Sequence, residues 1–264
     1  MRILGFSQIR DMLVRLAPSR LSKEAARALN PDTDEDTVVK SLTDTEEAVV
    51  CLEREGQIPL GGITDIRPFL EKAKREVTLS ADECIAVWEN AQRYGQIQDF
   101  FAPKGEEYPQ LSQRAETLGD FSLLVQRVGA VFDENHQVRD NASVELARLR
   151  TRIAELERRT KRYIQQILAD KSYQKYFQDT LVTVRNNRSV IPVKQEYRHA
   201  FPGIVHDMSA SGATLYVEPL AVVDANNDLQ TAKLAEEKEI ERIYRRLTAL
   251  IAGQYEDLYK STMT

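Results

Sequence analysis

Between Ser143 and Asp170, Leu146, Leu149, Ile153, Leu156, Thr160, Tyr163 and Ile167 recur at alternating steps of three and four. This spacing lays one stripe along a helix wound against a partner. The helix would be a rod about 40 Å long, and its stripe must be covered. Val222 to Ala252 supplies the cover, since Ile240, Ile243, Leu247 and Leu250 repeat the stepping, although Lys233 and Glu236 would interrupt the seam near its start. Thr180 to Pro219, between the two, is composed like short strands and turns. The predicted architecture is therefore mainly α with a small antiparallel β head: a long antiparallel coiled-coil lever carrying β-hairpins at its tip.

Residues 1 to about 120 read as a succession of helices. Phe6, Ile9, Leu13 and Leu16 step by three and four before Pro18, Ser22 is placed to cap a second helix, and Val38, Leu42, Thr45, Val49 and Leu52 trace a third ending near Gly56. Ser80 and Glu83 have capping-box spacing, and Trp88 and Tyr94 on that helix read as packing residues. Phe132 to Val138 reads as a small hairpin with His136 in its turn. The 264 residues carry a net charge of -5, so any polyanion contact must come from a local patch. Asp32 to Glu55 holds nine acids against Lys40 and Arg54, which reads as a solvated helix face, whereas Asn141 to Asp179 holds nine Lys/Arg against five acids. Cys51 and Cys84 have no metal-type spacing and read as reduced core thiols. Without a signal peptide or a long apolar span, a cytoplasmic location is expected.

The head contains two hairpins. In LVTVRNNRSVIPVK, Asn186-Asn187 is suited to a two-residue turn, which sets Arg185 opposite Arg188. That register puts Val182, Val184, Ile191 and Val193 on a core face and Thr183, Arg185, Arg188, Val190 and Lys194 on a basic one. Opposed arginines repel, and an anion between them would relieve the cost. Arg185, Arg188, Lys194 and Arg198 are therefore the candidate phosphate contacts. Pro192 is expected on an edge strand or beside a bulge. The second hairpin, PGIVHDMSASGATLYVEP, gathers His206, Asp207, Ser209 and Ser211. Regular alternation would point His206 and Asp207 to opposite faces, leaving Gly212 to supply a turn and the serines to satisfy backbone groups. No phosphate-loop, GxGxxG, HExxH or GxSxG motif occurs, and the three histidines are scattered. No catalytic, cofactor or metal residues are assigned.

The stretch SVIPVKQEYRHAFPGIVHDMSASGATLYVEPLAVVDANNDLQTAKLAEEKEIERI resembles the clamp and following lever helix of the bacterial MutS-two proteins, and is most specific in VIPVK through VEP and in NNDL. LGGITDIRPFLEKA resembles that family's N-terminal core, and VRDNAS the start of its first lever helix. The resemblance implies a helical core over 1–132, an ascending lever helix with a small preceding hairpin over 133–179, a β clamp over 180–221 and a returning lever helix over 222–264. It implies a fragment whose homodimerising ATPase domain, using ATP and Mg, and Smr nuclease domain lie elsewhere. KSTMT at the end, without a helix stop, fits a longer chain. The implied partners are branched or duplex DNA, in suppression of homologous recombination, and collided ribosomes, with no membrane. The alternative is a structural arm that meets a protein surface or its own copy without touching nucleic acid.

Overall fold

The computed structural model describes residues 5–264. They form two compact units: the residues up to Arg139 together with Ile243–Thr264, and Asp140–Arg242.

The first unit is helical: α1 (Phe6–Leu16), α2 (Arg20–Ala28), α3 (Glu35–Glu55), α4 (Arg67–Lys74), α5 (Ala81–Phe101), α6 (Pro109–Glu116), α7 (Ser122–Gly129), the end of α9 (Val223–Gly253) and α10 (Tyr255–Met263). Helix α5 begins in the expected capping box of Ser80 and Glu83. It buries Cys84, Val87, Ala91 and Tyr94, and Trp88 Nε1 donates to the Val125 carbonyl at 3.0 Å. Burial pushes the Cys84 thiol up to about 12, as fits a core thiol. At α2 the cap is Ser19, and Ser22 occupies the third helical position of the same capping box. The expected end of α3 holds, with Gly56 closing it at φ 75°, and Asp34 caps its start.

Helix α3 docks through its acidic side, which corrects the reading of its acids as a solvated face. Its apolar stripe is not core, since Leu42, Val49 and Leu52 are exposed. Its acids are not simply solvated: Glu47 accepts from the free amides of Gln110 and Leu111 at the start of α6, Asp44 pairs with Arg114, and Glu55 pairs with Lys104 at 3.1 Å. A carboxylate at a helix N-terminus satisfies donors with no partner inside the helix. The opposite face of α3 is thus the docked one, through Cys51 packed with Phe101 and Tyr108.

In the second unit, α8 (Val144–Ala169) runs between the anticipated ends, Ser143 as N-cap and Asp170 as C-cap. The first part of α9 returns antiparallel to it. Ser143 Oγ donates to buried Glu239 at 2.8 Å, Arg150 pairs with Glu236 at 2.8 Å, and Ile153 and Leu156 pack on Leu229 and Ala232. Lys233, expected to interrupt the seam, instead flanks it by pairing with Glu157 at 2.9 Å. The seam also shifts. Beyond Thr160 the buried residues are Ile164 and Leu168 rather than Tyr163 and Ile167. A straight helix has 3.6 residues per turn, so a 3.5-residue repeat drifts off the buried side; here Ile164 and Leu168 leave the helix pair to join the sheet's core.

Between α8 and α9 stands a four-stranded antiparallel sheet, β1 (Thr183–Arg185), β2 (Arg188–Lys194), β3 (Gly203–Met208) and β4 (Thr214–Pro219), in the order β1-β2-β4-β3. One face, Ile191, Val193, Leu215 and Val217, packs on Phe177, Phe201, Ile164, Leu168 and Val222. The expected division of β2 into a core face and a basic face does not hold. Val190, Ile191, Pro192 and Val193 are all buried, while Val184 is exposed because β1 is a three-residue edge strand. Pro192 also lies on an inner strand. Its backbone edge faces the notch where β1 has ended, and its carbonyl there accepts from Gln178 at 2.9 Å, so its missing N–H breaks no ladder bond.

Ile164→Ala should therefore destabilise the chain by about 2–5 kcal/mol as a buried truncation, whereas Tyr163→Ala should cost about 0.5 kcal/mol as a surface change. Urea unfolding followed by far-ultraviolet circular dichroism measures both, and the reverse order would restore the original seam.

Candidate nucleic-acid interface

The β1–β2 turn forms as expected, with Asn186 and Asn187 at φ 51° and 60°, and Arg185 lies directly opposite Arg188. Each arginine, however, has its own acid. Arg185 Nε stands 3.1 Å from Asp207, and its guanidinium lies 4.2 Å over the Tyr216 ring. Arg188 donates to Glu218 at 2.7 Å and to Asn227 at 2.7 Å. The repulsion that an anion was expected to relieve is already relieved inside the protein.

A bulge makes this possible. Val205 pairs with Val217 but Asp207 with Tyr216, so His206 is an extra residue in β3. The expected alternation is broken there, and His206 and Asp207 both turn toward the face carrying Tyr216 and Glu218. His206 Nε2 lies 2.6 Å from Glu218 Oε2. Asn186 Nδ2 donates to the His206 carbonyl at 3.1 Å, fastening the first hairpin's tip to the bulge. The serines do what was expected of them: Ser209 Oγ accepts from the Thr214 amide at 3.1 Å, and Gly212 turns the chain at φ 74°.

Glu218 is the centre of this group. It is fully buried and takes bonds from Arg188, His206 and Asn226, the last at 2.7 Å. Burial pushes its carboxyl upward, but the bonds from Asn226, His206 and Arg188 together outweigh burial and hold it below the usual glutamate range. An ionised carboxylate only accepts, so His206 presents Nε2–H to it. Asn226 also bonds both backbone groups of Ser189, its Nδ2 donating to the carbonyl at 3.2 Å and its Oδ1 accepting from the amide at 3.3 Å, and thereby serves as a strand partner for β2 where β4 has ended.

The four candidate contacts are not brought together. Arg185 and Arg188 sit at one end of β2. Lys194 lies six residues along it, about 20 Å away, where its Nζ donates to the Lys175 carbonyl at 3.4 Å. Arg198 is exposed just beyond, next to Tyr197, whose ring meets Tyr176 at 5.0 Å. Glu218, Asn226, Asn227 and Tyr216 had not been singled out. The available signal was an acid inside the apolar run TLYVEP, followed by NND at a helix start. Among the described residues no group of three or more His, Cys, Asp and Glu is placed to hold a metal ion, and no helix is long and apolar enough to cross a membrane.

Known proteins share this sequence along nearly its whole length. It is 38% identical to Endonuclease MutS2 of Geobacillus sp. (strain WCH70) over 99% of this chain and 34% of that protein. It is 39% identical to Endonuclease MutS2 of Geobacillus thermodenitrificans over 99% of this chain and 34% of that protein, and 37% identical to that of Acetivibrio thermocellus over 98% and 33%. The chain belongs to the MutS2 family. It spans about a third of the length of the curated relatives it matches, and no family model matches it. The small β segment expected between the two long helices is the sheet in which Glu218 is buried.

Replacing Glu218 by Gln leaves a largely buried Arg188 without its counter-charge and should cost about 3 kcal/mol near neutral pH. Because the folded carboxyl is held below its unfolded value, its contribution is fully present above the ordinary glutamate range, near 4.5, and is lost as pH falls through the lower folded value. Parent and Glu218→Gln stabilities should converge as pH drops below that range in a urea titration, and a constant gap would count against the network.

Proposed function

We propose that this chain is the nucleic-acid-gripping arm of a MutS2-family protein. Asp140–Arg242 would provide the clamp and lever, acting on branched or duplex DNA in suppression of homologous recombination and on collided ribosomes. What carries the reading is the near-complete alignment with proteins named endonucleases, whose substrates are nucleic acids. At the sheet, Arg198 is the cation best exposed to a phosphate, and Lys194 and Arg185, both half-buried, are further ones. Arg188 serves instead as a positioning residue through Glu218. Cleavage, use of ATP and Mg, and homodimerisation are assigned to the rest of the family's length. A second reading, an arm that meets a protein surface, draws support from the internal neutralisation of Arg185 and Arg188.

The two readings differ in salt dependence, because phosphate contacts release counterions and surface packing does not. Fluorescence anisotropy with branched and duplex DNA, and cosedimentation with ribosomes, should show affinity falling steeply between about 50 and 200 mM salt. Absence of binding at the lower salt, or a flat salt profile, would decide for the protein-surface reading. The purified chain should also show no ATPase or nuclease turnover above a mock purification. Turnover abolished by a point change within residues 5–264 would overturn this assignment of chemistry.

A further inference from the structure

The lever helix carries a second cationic surface, unlike that of the head. At 100° per residue, Arg148, Arg152, Arg159 and Arg162 fall within about 80° of arc on α8. That arc is turned away from Leu146, Ile153 and Ile164, which are buried. All four arginines are exposed. Arg152 and Arg162 take part in no hydrogen bond or ion pair among the described residues. Arg148 has only a loose 3.6 Å pairing with Glu145, and Arg159 leans on Tyr163, its Nε donating to the phenol oxygen at 3.1 Å. Glu155 is the one acid inside the stripe, and Arg158 flanks it. Arg150, by contrast, is committed to Glu236 and Asp140 on the inner side. The sequence's basic run therefore sorts into a structural arginine facing α9 and an outward, exposed row in which Arg152 and Arg162 are uncommitted among the described residues.

We infer that this row is a docking surface for the phosphate backbone of a duplex nucleic acid. The inference rests on the gripping-arm reading and gives that arm a second contact besides the sheet. From Arg148 to Arg162 the row is about 21 Å long, which matches about six phosphates of one duplex strand at 3.4 Å of axis each. A lipid surface fits less well, since an interfacial helix inserts an apolar face, and the apolar face of α8 is occupied by Leu229 and Ala232 of α9. A protein partner fits less well too. Protein interfaces centre on buried apolar or aromatic anchors with a charge-depleted core, and no such anchor stands between these arginines. A phosphate backbone needs only donors in a row, and guanidinium groups grip phosphates bidentately.

The test uses the full 264-residue chain with Arg152→Gln and Arg162→Gln combined, substitutions that keep helix propensity nearly constant. The probes are a duplex DNA, a duplex RNA of the same sequence and phosphatidylserine vesicles, each titrated across a salt series. The slope of log affinity against log salt for duplex DNA should shrink by about 1.8, and affinity near 0.1 M salt should fall roughly 60-fold, at 0.9 ions released per lost contact. The duplex RNA arm assigns the source of the phosphates, and loss on either duplex supports the row. Arg152→Lys with Arg162→Lys keeps the charge and should keep the parent's slope, and Arg148→Gln with Arg159→Gln, at the row's other two positions, should show the same loss of slope if the first Gln pair fails to fold. Should the Gln pair bind like the parent while Lys194→Gln with Arg198→Gln loses affinity, the row is overturned and the gripping-arm reading stands. Should the parent bind neither duplex, the row is overturned, and branched DNA and ribosomes then decide the gripping-arm reading. Binding to the vesicles in preference to both duplexes, lost in the Gln pair, would overturn the nucleic-acid assignment of the row.

Discussion

The head of this molecule is organised around one buried negative charge. Taking a carboxylate out of water is costly unless the protein replaces its hydration with well-placed donors. Glu218 receives them from β2 through Arg188, from the β3 bulge through His206, and from the start of α9 through Asn226. These pieces are remote in sequence, and the charge gives them a common fixed point. The apolar face of the sheet stabilises the head and forbids one-residue slips of its strands, but selects less sharply among slips of two. Directional bonds to a single carboxylate do select one registration, because a wrong one would leave Glu218 buried and unpaired.

The same network recasts the arginines at the hairpin tip. Read along the strand they are a cationic surface. In three dimensions Arg188 is a strut between Glu218 and Asn227, and Arg185 is held against Tyr216 and Asp207. Charge counted along a chain does not reveal on which side of an element the charge is spent. Helix α3 makes the point with the opposite sign, since its acids Glu47, Asp44 and Glu55 dock it to its neighbours while its apolar stripe faces solvent.

What was legible in the sequence was local. The limits of α8 follow from Ser143 and Asp170, the first hairpin from Asn186-Asn187, and the start of α5 from Ser80 and Glu83, because caps and turns are decided by a few adjacent residues. What was not legible depended on partners far along the chain. The seam of α8 changes side where the sheet takes over from α9 as its neighbour, and no periodicity within α8 announces that. The bulge at His206 reverses a parity on which the reading of His206 and Asp207 depended, and a single inserted residue leaves no compositional mark. Lys194 and Arg198 were legible as cations, but not that the length of β2 separates them from Arg185 and Arg188.

The placement of the sheet between α8 and α9 bears on how the molecule assembles. The two helices can meet only after the ends of residues 170–222 have been brought together, a loop-closure cost that falls sharply once that segment is compact. The sheet's own contacts are short in sequence, the tightest being the two-residue turn between β1 and β2. Local contacts form faster than distant ones. A compact sheet shortens the loop between α8 and α9, so a change that loosens the sheet raises the entropic cost of pairing the two helices even when no residue of their seam has changed.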